Sequence, residues 1–324
     1  MPQTTITNLD QVLKLSRQRQ DALQPFDLTD QMPMYEFRWP DGQAPTMVRL
    51  TQDRVLSLSP RAEGQLLQRL GVPAQFFRKL PTNLRWAVGN HFVQNGGFER
   101  NALLRTVRGT TVRALLTETY TPLDDVPVLE MLADVIGDDD LRIEALSFED
   151  DFTHLRIVFP RRMTEVRKGD VVMTGLNVTN SETGCRAVHI DALVYRLVCS
   201  NGLVRAESNG RTTLRHVGQA ERLKDAMAIA IRDAKENAHR LVEQFKATIE
   251  HKLTEPQALL ERFAQDAQLS RDQLQAALAA YALEPDPTGF GVVNAVTRAA
   301  QFESSFKARY QMERQGAALL ARLN

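Results

Sequence analysis

The sequence predicts an α+β protein, in which an antiparallel, strand-rich central region of hairpins with helices is followed by a C-terminal helical region. Strand-rich segments dominate from about residue 101 to residue 215. Residues 220–252 contain no glycine or proline and are rich in good helix formers. Because no long linker separates these parts, we predict an α+β domain over residues 1–216 and a helical region over residues 217–324 packed on it.

The first hundred residues mix helices with a small hairpin. Ser59-Pro60 begins a helix, since the hydroxyl caps its first turn and proline suits its first position. Thr82 is predicted to cap a later helix that carries Leu84, Val88, His91 and Phe92 on one face. The predicted elements are a helix over 8–23, strands over 35–39 and 47–50, and helices over 60–70, 74–79 and 82–95.

Three hairpins and one helix are predicted in the central region. The first hairpin turns at Arg108-Gly-Thr110, where glycine permits a positive φ. Asp124 is predicted to cap a helix that runs to about Ile136. The strand pairs are 103–107 with 111–117, 141–148 with 154–159, and 171–178 with 187–197.

Helices account for the rest of the chain. The pattern of residues 220–252 predicts one long helix or a helix pair, which either packs in the core or forms an oligomer interface. Pro285-Asp-Pro287-Thr-Gly289 breaks the helical pattern. Further helices are predicted over 256–266, 270–283 and 293–323.

Composition limits the classes of partner. The 40 basic and 40 acidic residues give a formal net charge of zero, so any electrostatic site must be local. The two cysteines, Cys185 and Cys199, favour a reducing compartment. The N-terminus lacks the pattern of a signal peptide, and no apolar run approaches the ~18 residues of a membrane span. These features predict a cytoplasmic protein without a membrane partner.

The sequence contains none of the common catalytic signatures for nucleotide, serine or zinc hydrolysis. His189-Ile-Asp191 places two side chains on one face of a strand, which suits metal binding or acid–base chemistry as well as an ordinary hydrogen-bonded pair. The acidic runs at 138–140 and 149–151 match turn chemistry or Mg²⁺ ligation. A metal-dependent nuclease or hydrolase is therefore one hypothesis, although the sequence favours a non-enzyme that uses no cofactor.

The segment from Arg161 to His216 is the most suggestive of binding. It holds nine Arg or Lys residues against five acids, together with several asparagines and Tyr195. Arginine forks and amide groups suit phosphates and base edges, and aromatic rings stack on single strands. A network of salt bridges on a solvated face explains the same composition.

Several segments, in order along most of the chain, resemble the phage/plasmid-like proteins, a family of unknown function found in phages, plasmids and integrated elements. The resemblance is strongest at Asn180-Ser-Glu-Thr-Gly184 and at Tyr195-Arg-Leu-Val-Cys-Ser-Asn-Gly202, although family members often carry His in place of Glu182. The supporting segments are 64–77, 113–124 and 291–297. The occurrence of this family in mobile elements implies a role in replication, recombination or defence. By analogy alone, the strand–helix layout is similar to that of single-strand annealing proteins, which form rings around a basic groove.

These observations predict a protein of a mobile genetic element that binds single-stranded DNA or RNA, such as an annealing or recombination protein, and acts as a homo-oligomer. Arg105, Arg108 and Arg113 are predicted to contact phosphate, and Tyr195 to stack on a base. The residues predicted to line the groove are Arg186, Arg196, Asn201, Arg205 and Arg211. The alternatives are the hydrolase named above and an oligomeric scaffold built on the long C-terminal helices.

Overall fold

The computed structural model of the protein describes residues 8–52, 54–95, 101–137, 140–149, 152–197, 201–205, 213–218 and 220–324. The predicted α+β class is confirmed, because two largely antiparallel sheets are followed by a C-terminal helical region. The boundary that we place at residue 216 stays a prediction. Among the helices of the described ranges, none combines the length and the apolar character that a bilayer crossing requires.

The first sheet lies in the N-terminal third of the chain, in the order β1-β5-β6-β4-β3-β2. Its strands are β1 (Pro25–Gln31), β2 (Tyr35–Arg38), β3 (Thr46–Arg49), β4 (Val55–Leu58), β5 (Asn101–Val107) and β6 (Thr111–Thr117). The helices around it are α1 (Leu9–Leu23), α2 (Pro60–Arg69), α3 (Ala74–Phe77) and α4 (Thr82–Gln94). Phe37, Trp39 and Phe77 are fully or almost fully buried in its core. The tight β5–β6 turn forms because Arg108 and Gly109 both take positive φ, of 51° and 63°.

The second sheet carries the candidate site, in the order β11-β10-β9-β8-β7, and β12 also pairs with β10. Its strands are β7 (Arg142–Phe148), β8 (Thr153–Arg167), β9 (Asp170–Asn180), β10 (Val188–Arg196), β11 (Asn201–Arg205) and β12 (Thr213–Leu214). Helix α5 (Asp125–Ile136) precedes it in the chain. The three predicted hairpins are thus confirmed, but β8 continues to Arg167, well beyond the predicted end at 159.

Five helices follow the second sheet: α6 (Ala220–Ala247), α7 (Pro256–Asp266), α8 (Arg271–Leu283), α9 (Gly289–Ala299) and α10 (Phe306–Leu323). The first half of α6 packs with α1 and α5 against an apolar face of the second sheet, through residues such as Met227 and Ile231. The second half of α6 joins α7–α10 around Phe245 and Phe290. The apolar stripe of α6 is therefore buried in the core, and among the described residues its large exposed apolar side chain is Ile229.

One sequence prediction for the C-terminal helices is wrong, and so is the predicted buried face of α4 beside the first sheet. The predicted helix over 293–323 is two helices, because a single 3-10 turn at Ala300–Phe302 follows α9 and the Ser305 side chain then accepts a hydrogen bond from the Ala308 amide to cap α10. Helix α4 buries Gly89 and Val93, whereas Leu84 and Phe92 of the predicted face are exposed. Strands β1 and β4 were not predicted, since they lie in segments without a clear alternation.

Candidate functional site

Six polar side chains lie on one face of the second sheet, which we call the polar face. Successive residues of a strand point to opposite sides, so residues two apart share a side. The register of β8, β9 and β10 sets these side chains in two rows. The first row is His154, Thr179 and His189, and the second is Arg156, Asn177 and Asp191. The alternate residues of the same strands form an apolar core on the other face.

Helix α10 covers the polar face. The Tyr310 hydroxyl donates a hydrogen bond to Oδ2 of Asp191. One turn further along, Oε2 of Glu313 accepts a hydrogen bond from the guanidinium group of Arg156 in a buried ion pair. These two contacts join strand residues to helix residues more than a hundred positions away, so they fix α10 over the sheet.

The polar face contains buried groups that find no hydrogen-bond partner among the described residues. Both ring nitrogens of His154 and both amide atoms of Asn177 are in this state, and so are Oγ1 of Thr179, Oδ1 of Asp191 and Nε of Arg156. The side chains of His154, Asn177 and Asp191 are 0% exposed. A buried polar group without a partner costs about 1–3 kcal/mol, so a cluster of them indicates a place where a polar ligand or ordered water binds.

The pKa values of this cluster are shifted toward neutral groups. Burial, assisted by the charge of Arg156, lowers the pKa of His154 well below its ordinary value. Asn177 lies beside the ring and favours its charged form, but no hydrogen bond of good geometry joins the two. Burial and then the charge of Arg186 lower the pKa of His189 to about 4. Burial raises the pKa of Asp191. Both imidazoles are therefore neutral at pH 7, as donors and acceptors rather than cations.

Three arginines, which we call the arginine cluster, surround Tyr310 and Phe306 at the edge of this site. The guanidinium carbons of Arg186 and Arg314 lie 5.3 and 5.7 Å from the centre of the Tyr310 ring. The guanidinium carbon of Arg309 lies 5.7 Å from the centre of the Phe306 ring. Within the described part of the chain, none of the three pairs with an acid. A guanidinium group held over an aromatic ring keeps its N–H edge available for an anion.

The structure places the predicted phosphate contacts Arg105 and Arg113 in an ion-pair network, not on an open surface. Arg105 is 2% exposed and donates to Asp27, to both carboxylate oxygens of Asp124 and to the carbonyl of Glu182. Arg113 donates to the carboxylate of Glu182 at 2.9 Å. The charges of these two residues are already compensated inside the fold, so the geometry does not favour phosphate contacts here, and those contacts stay a prediction.

The predicted groove residues Arg196 and Tyr195 are also buried. Arg196, 3% exposed, donates to both Asp170 and Glu284, which ties the end of β10 to the segment after α8. Tyr195 lies on the same side of β10 as Asp191, but it packs in an apolar cluster that also contains Tyr310. Both side chains are packed between the sheet and the C-terminal part of the chain, and their role in a nucleic-acid groove stays a prediction.

The remaining predicted residues are divided between surface and site. Arg108 is exposed in the β5–β6 turn, remote from the second sheet in the topology. Arg186 belongs to the arginine cluster. Of the nine residues predicted to bind nucleic acid, it is the one that the described structure brings to the polar face without an acidic partner. The side chains of Asn201 and Arg205, and all of Arg211, lie outside the described residues.

A pH-dependent carboxyl group lies in the ion-pair network. Burial, and then the nearby charge of Glu182, raises the pKa of Asp125 to about 6, although Thr153, Arg19 and Asn180 stabilise the carboxylate. Because this pKa exceeds the value of 3.8 in the unfolded chain, protonated Asp125 stabilises the fold below about pH 4, and this contribution is lost as the pH rises through about 6.

We expect the Asp125→Asn variant to remove this pH dependence, since asparagine keeps the acceptor for Asn180 and cannot ionise. A pKa difference of this size corresponds to roughly 3 kcal/mol. Urea unfolding at pH 4, 5, 6 and 7 should therefore show wild-type stability falling relative to the variant by that order. Parallel stability curves for the two proteins would contradict the assignment.

The hydrolase hypothesis is only partly matched by the structure. His189 and Asp191 share the polar face, as strand alternation predicts, and Nδ1 of His189 lies 3.1 Å from Oγ1 of Thr213. Among the described residues, however, no three His, Cys, Asp or Glu side chains come together as metal ligands. The metal-dependent hydrolase therefore has no ligand set in that part of the chain.

Sequence reasoning found only one strand of the polar face. The pattern His-Ile-Asp of β10 recurs as His154-Leu-Arg156 on β8 and as Asn177-Val-Thr179 on β9. The sequence did contain a signal for the polar face. In each of three neighbouring strands, two polar residues flank an apolar one. The contribution of α10 had no such signal, because its residues lie more than a hundred positions later.

The fold and the site together define an α+β protein whose second sheet carries a buried polar face beneath a C-terminal helix. The family described as Domain of unknown function (DUF932) matches residues 114–322, more than half of the chain, and the protein belongs to this family. The matched range includes the whole polar face and the arginine cluster, but most of the first sheet lies before it. No curated protein and no solved structure matches the chain.

Proposed function

We propose that the protein binds single-stranded nucleic acid along the exposed side of α10, through the arginine cluster. The observation that carries this proposal is the grouping of Arg186, Arg309 and Arg314 without a described acidic partner, in contrast to the buried and paired Arg105 and Arg196. Phosphate contacts from arginine supply most of the affinity for a strand, and they require guanidinium groups that are not already paired.

A groove beside Arg314 supports the same surface. It has a volume of about 480 Å³ and lies between α10 and the connection of α7 to α8. Of the described residues that line it, none is acidic, and four are glutamines: Gln268, Gln273, Gln311 and Gln315. Amide groups form hydrogen bonds with base edges, so a strand held by the arginines has polar partners along its path.

Fluorescence anisotropy with labelled single-stranded DNA, single-stranded RNA and duplex DNA tests the proposal. If three phosphates are neutralised, the logarithm of the association constant should fall with the logarithm of salt concentration with a slope of about −2. The single strands should bind more tightly than the duplex, since their unpaired base edges are free to meet the amide groups of the groove. Absence of binding at low salt, or affinity that does not change with salt, would refute the proposal.

The wider setting is proposed on the resemblance to phage/plasmid-like proteins. That resemblance supports a protein of a mobile genetic element that works in the cytoplasm in replication, recombination or defence. The analogy with annealing proteins supports a homo-oligomer. Sedimentation of the purified protein with and without a single strand would measure the oligomeric state.

A further inference from the structure

The polar face and the arginine cluster together carry more positive than negative charge. Arg156, Arg186, Arg309 and Arg314 are the four arginines whose charges act on the buried groups of this site. Among the described residues, the carboxylates of this site are Asp191 on the sheet and Glu313 on α10. With both histidines neutral, these described groups hold a surplus of two positive charges. A ligand that balances it carries two negative charges.

We infer that this site binds a phosphate monoester, namely the terminal phosphate of a single strand. This inference rests on the proposed nucleic-acid function. A phosphate monoester carries about −1.5 to −2 at pH 7, which matches the surplus, whereas each phosphate inside a strand carries one negative charge. Guanidinium groups bind such oxygens in a bidentate manner, and the unpartnered amide of Asn177 adds neutral hydrogen-bond donors.

The geometry favours the end of a strand over its middle. Arg314 is exposed and Arg186 and His189 are half-buried, so this side of the site meets solvent. His154 and Asn177 lie deeper, at 0% exposure, next to the buried Arg156. A strand that continues in both directions would need two openings to reach these buried donors, whereas a terminal phosphate would need only one.

Anisotropy at fixed salt compares one oligonucleotide sequence with a 5′-phosphate, with a 3′-phosphate and with hydroxyl groups at both ends. We expect one phosphorylated form to bind at least 10-fold more tightly than the form without phosphate. Equal affinity of all three forms would overturn the inference and leave the nucleic-acid proposal standing. Inorganic phosphate and a nucleoside 5′-monophosphate serve as competitors, and they distinguish a strand end from a free phosphate.

The Asn177→Asp variant places a carboxylate among the buried donors with almost no change of shape. It should abolish the preference for the phosphorylated end, so that phosphorylated and unphosphorylated strands bind the variant with equal affinity. If this variant does not fold, thermal stabilisation of the wild-type protein by inorganic phosphate and by the monophosphate decides the matter. If inorganic phosphate and the monophosphate both stabilise the protein but no strand binds, the phosphate site is supported and the nucleic-acid proposal is refuted. If neither ligand stabilises the protein and no phosphorylated end is preferred, the phosphate site is refuted.

Discussion

Replacement of Arg105 by alanine is expected to lower the free energy of unfolding by about 3–5 kcal/mol, because it removes one partner from a buried ion-pair network. The guanidinium group of Arg105 is held by Asp27, Asp124 and the carbonyl of Glu182, on elements that are distant in the sequence. Without it, the partly buried carboxylates of Asp27 and Asp124 lose the guanidinium group that compensates their charge. Chemical unfolding monitored by circular dichroism measures the loss.

The matched control is Arg108→Ala, three residues further along the same hairpin. Arg108 is exposed, and within the described residues its side chain makes one long hydrogen bond, 3.4 Å, to the carbonyl of Ala22, so its replacement should cost less than about 1 kcal/mol. Similar losses for the two variants would mean that the network contributes nothing beyond an ordinary surface arginine. Unchanged stability of the Arg105 variant would contradict the buried position itself.

Local signals in the sequence explain why most elements were predicted correctly. Ser59 accepts a hydrogen bond from the Ala62 amide and Pro60 occupies the first helical position, so the start of α2 is determined by two adjacent residues. The capping box of Ser270 and Gln273 determines the start of α8 in the same way. Such signals act over three or four residues and are legible without any knowledge of the tertiary structure.

The division between α9 and α10 was missed because its causes are weaker or lie elsewhere in the fold. Residues 292–315 contain no glycine or proline, so the pattern predicts one continuous helix. The Ser305 cap is a local signal, but serine is common inside helices as well. Nearly all of α9 is buried in a core formed with distant parts of the chain, so where this helix ends depends on tertiary packing.

The arginine contacts could not be predicted, because a count of charges along a segment does not reveal pairing. Arg196 is paired with Glu284, 88 residues away, and Arg156 with Glu313, 157 residues away. The excess of basic residues between 161 and 216 was therefore real but largely compensated from outside the segment. Arg186 differs only because Tyr310, an aromatic residue, faces it from α10.

The joint replacement of Arg186 and Arg314 by alanine is expected to weaken binding of a single strand about 100-fold at moderate salt. Each hydrogen bond to a charged group contributes about 1.5–3 kcal/mol, and both guanidinium groups contact the same Tyr310 ring, so one strand meets both. The salt dependence should fall by roughly two phosphate contacts, which anisotropy at several salt concentrations measures. Stability should change little, since Arg314 is exposed and Arg186 only half-buried.

A second double variant, Arg240→Ala with Arg262→Ala, removes the same charge from exposed positions on α6 and α7, outside the arginine cluster. Its affinity should remain within about 3-fold of the wild-type value, because exposed charges that do not contact the strand are screened over about 10 Å at 0.1 M salt. Equal losses in the two double variants would show that binding follows net charge alone. Loss of affinity specific to Arg186 and Arg314, with the stability of both proteins preserved, would place the strand at the arginine cluster, as expected from the pairing of Arg105, Arg113 and Arg196 with acids inside the fold.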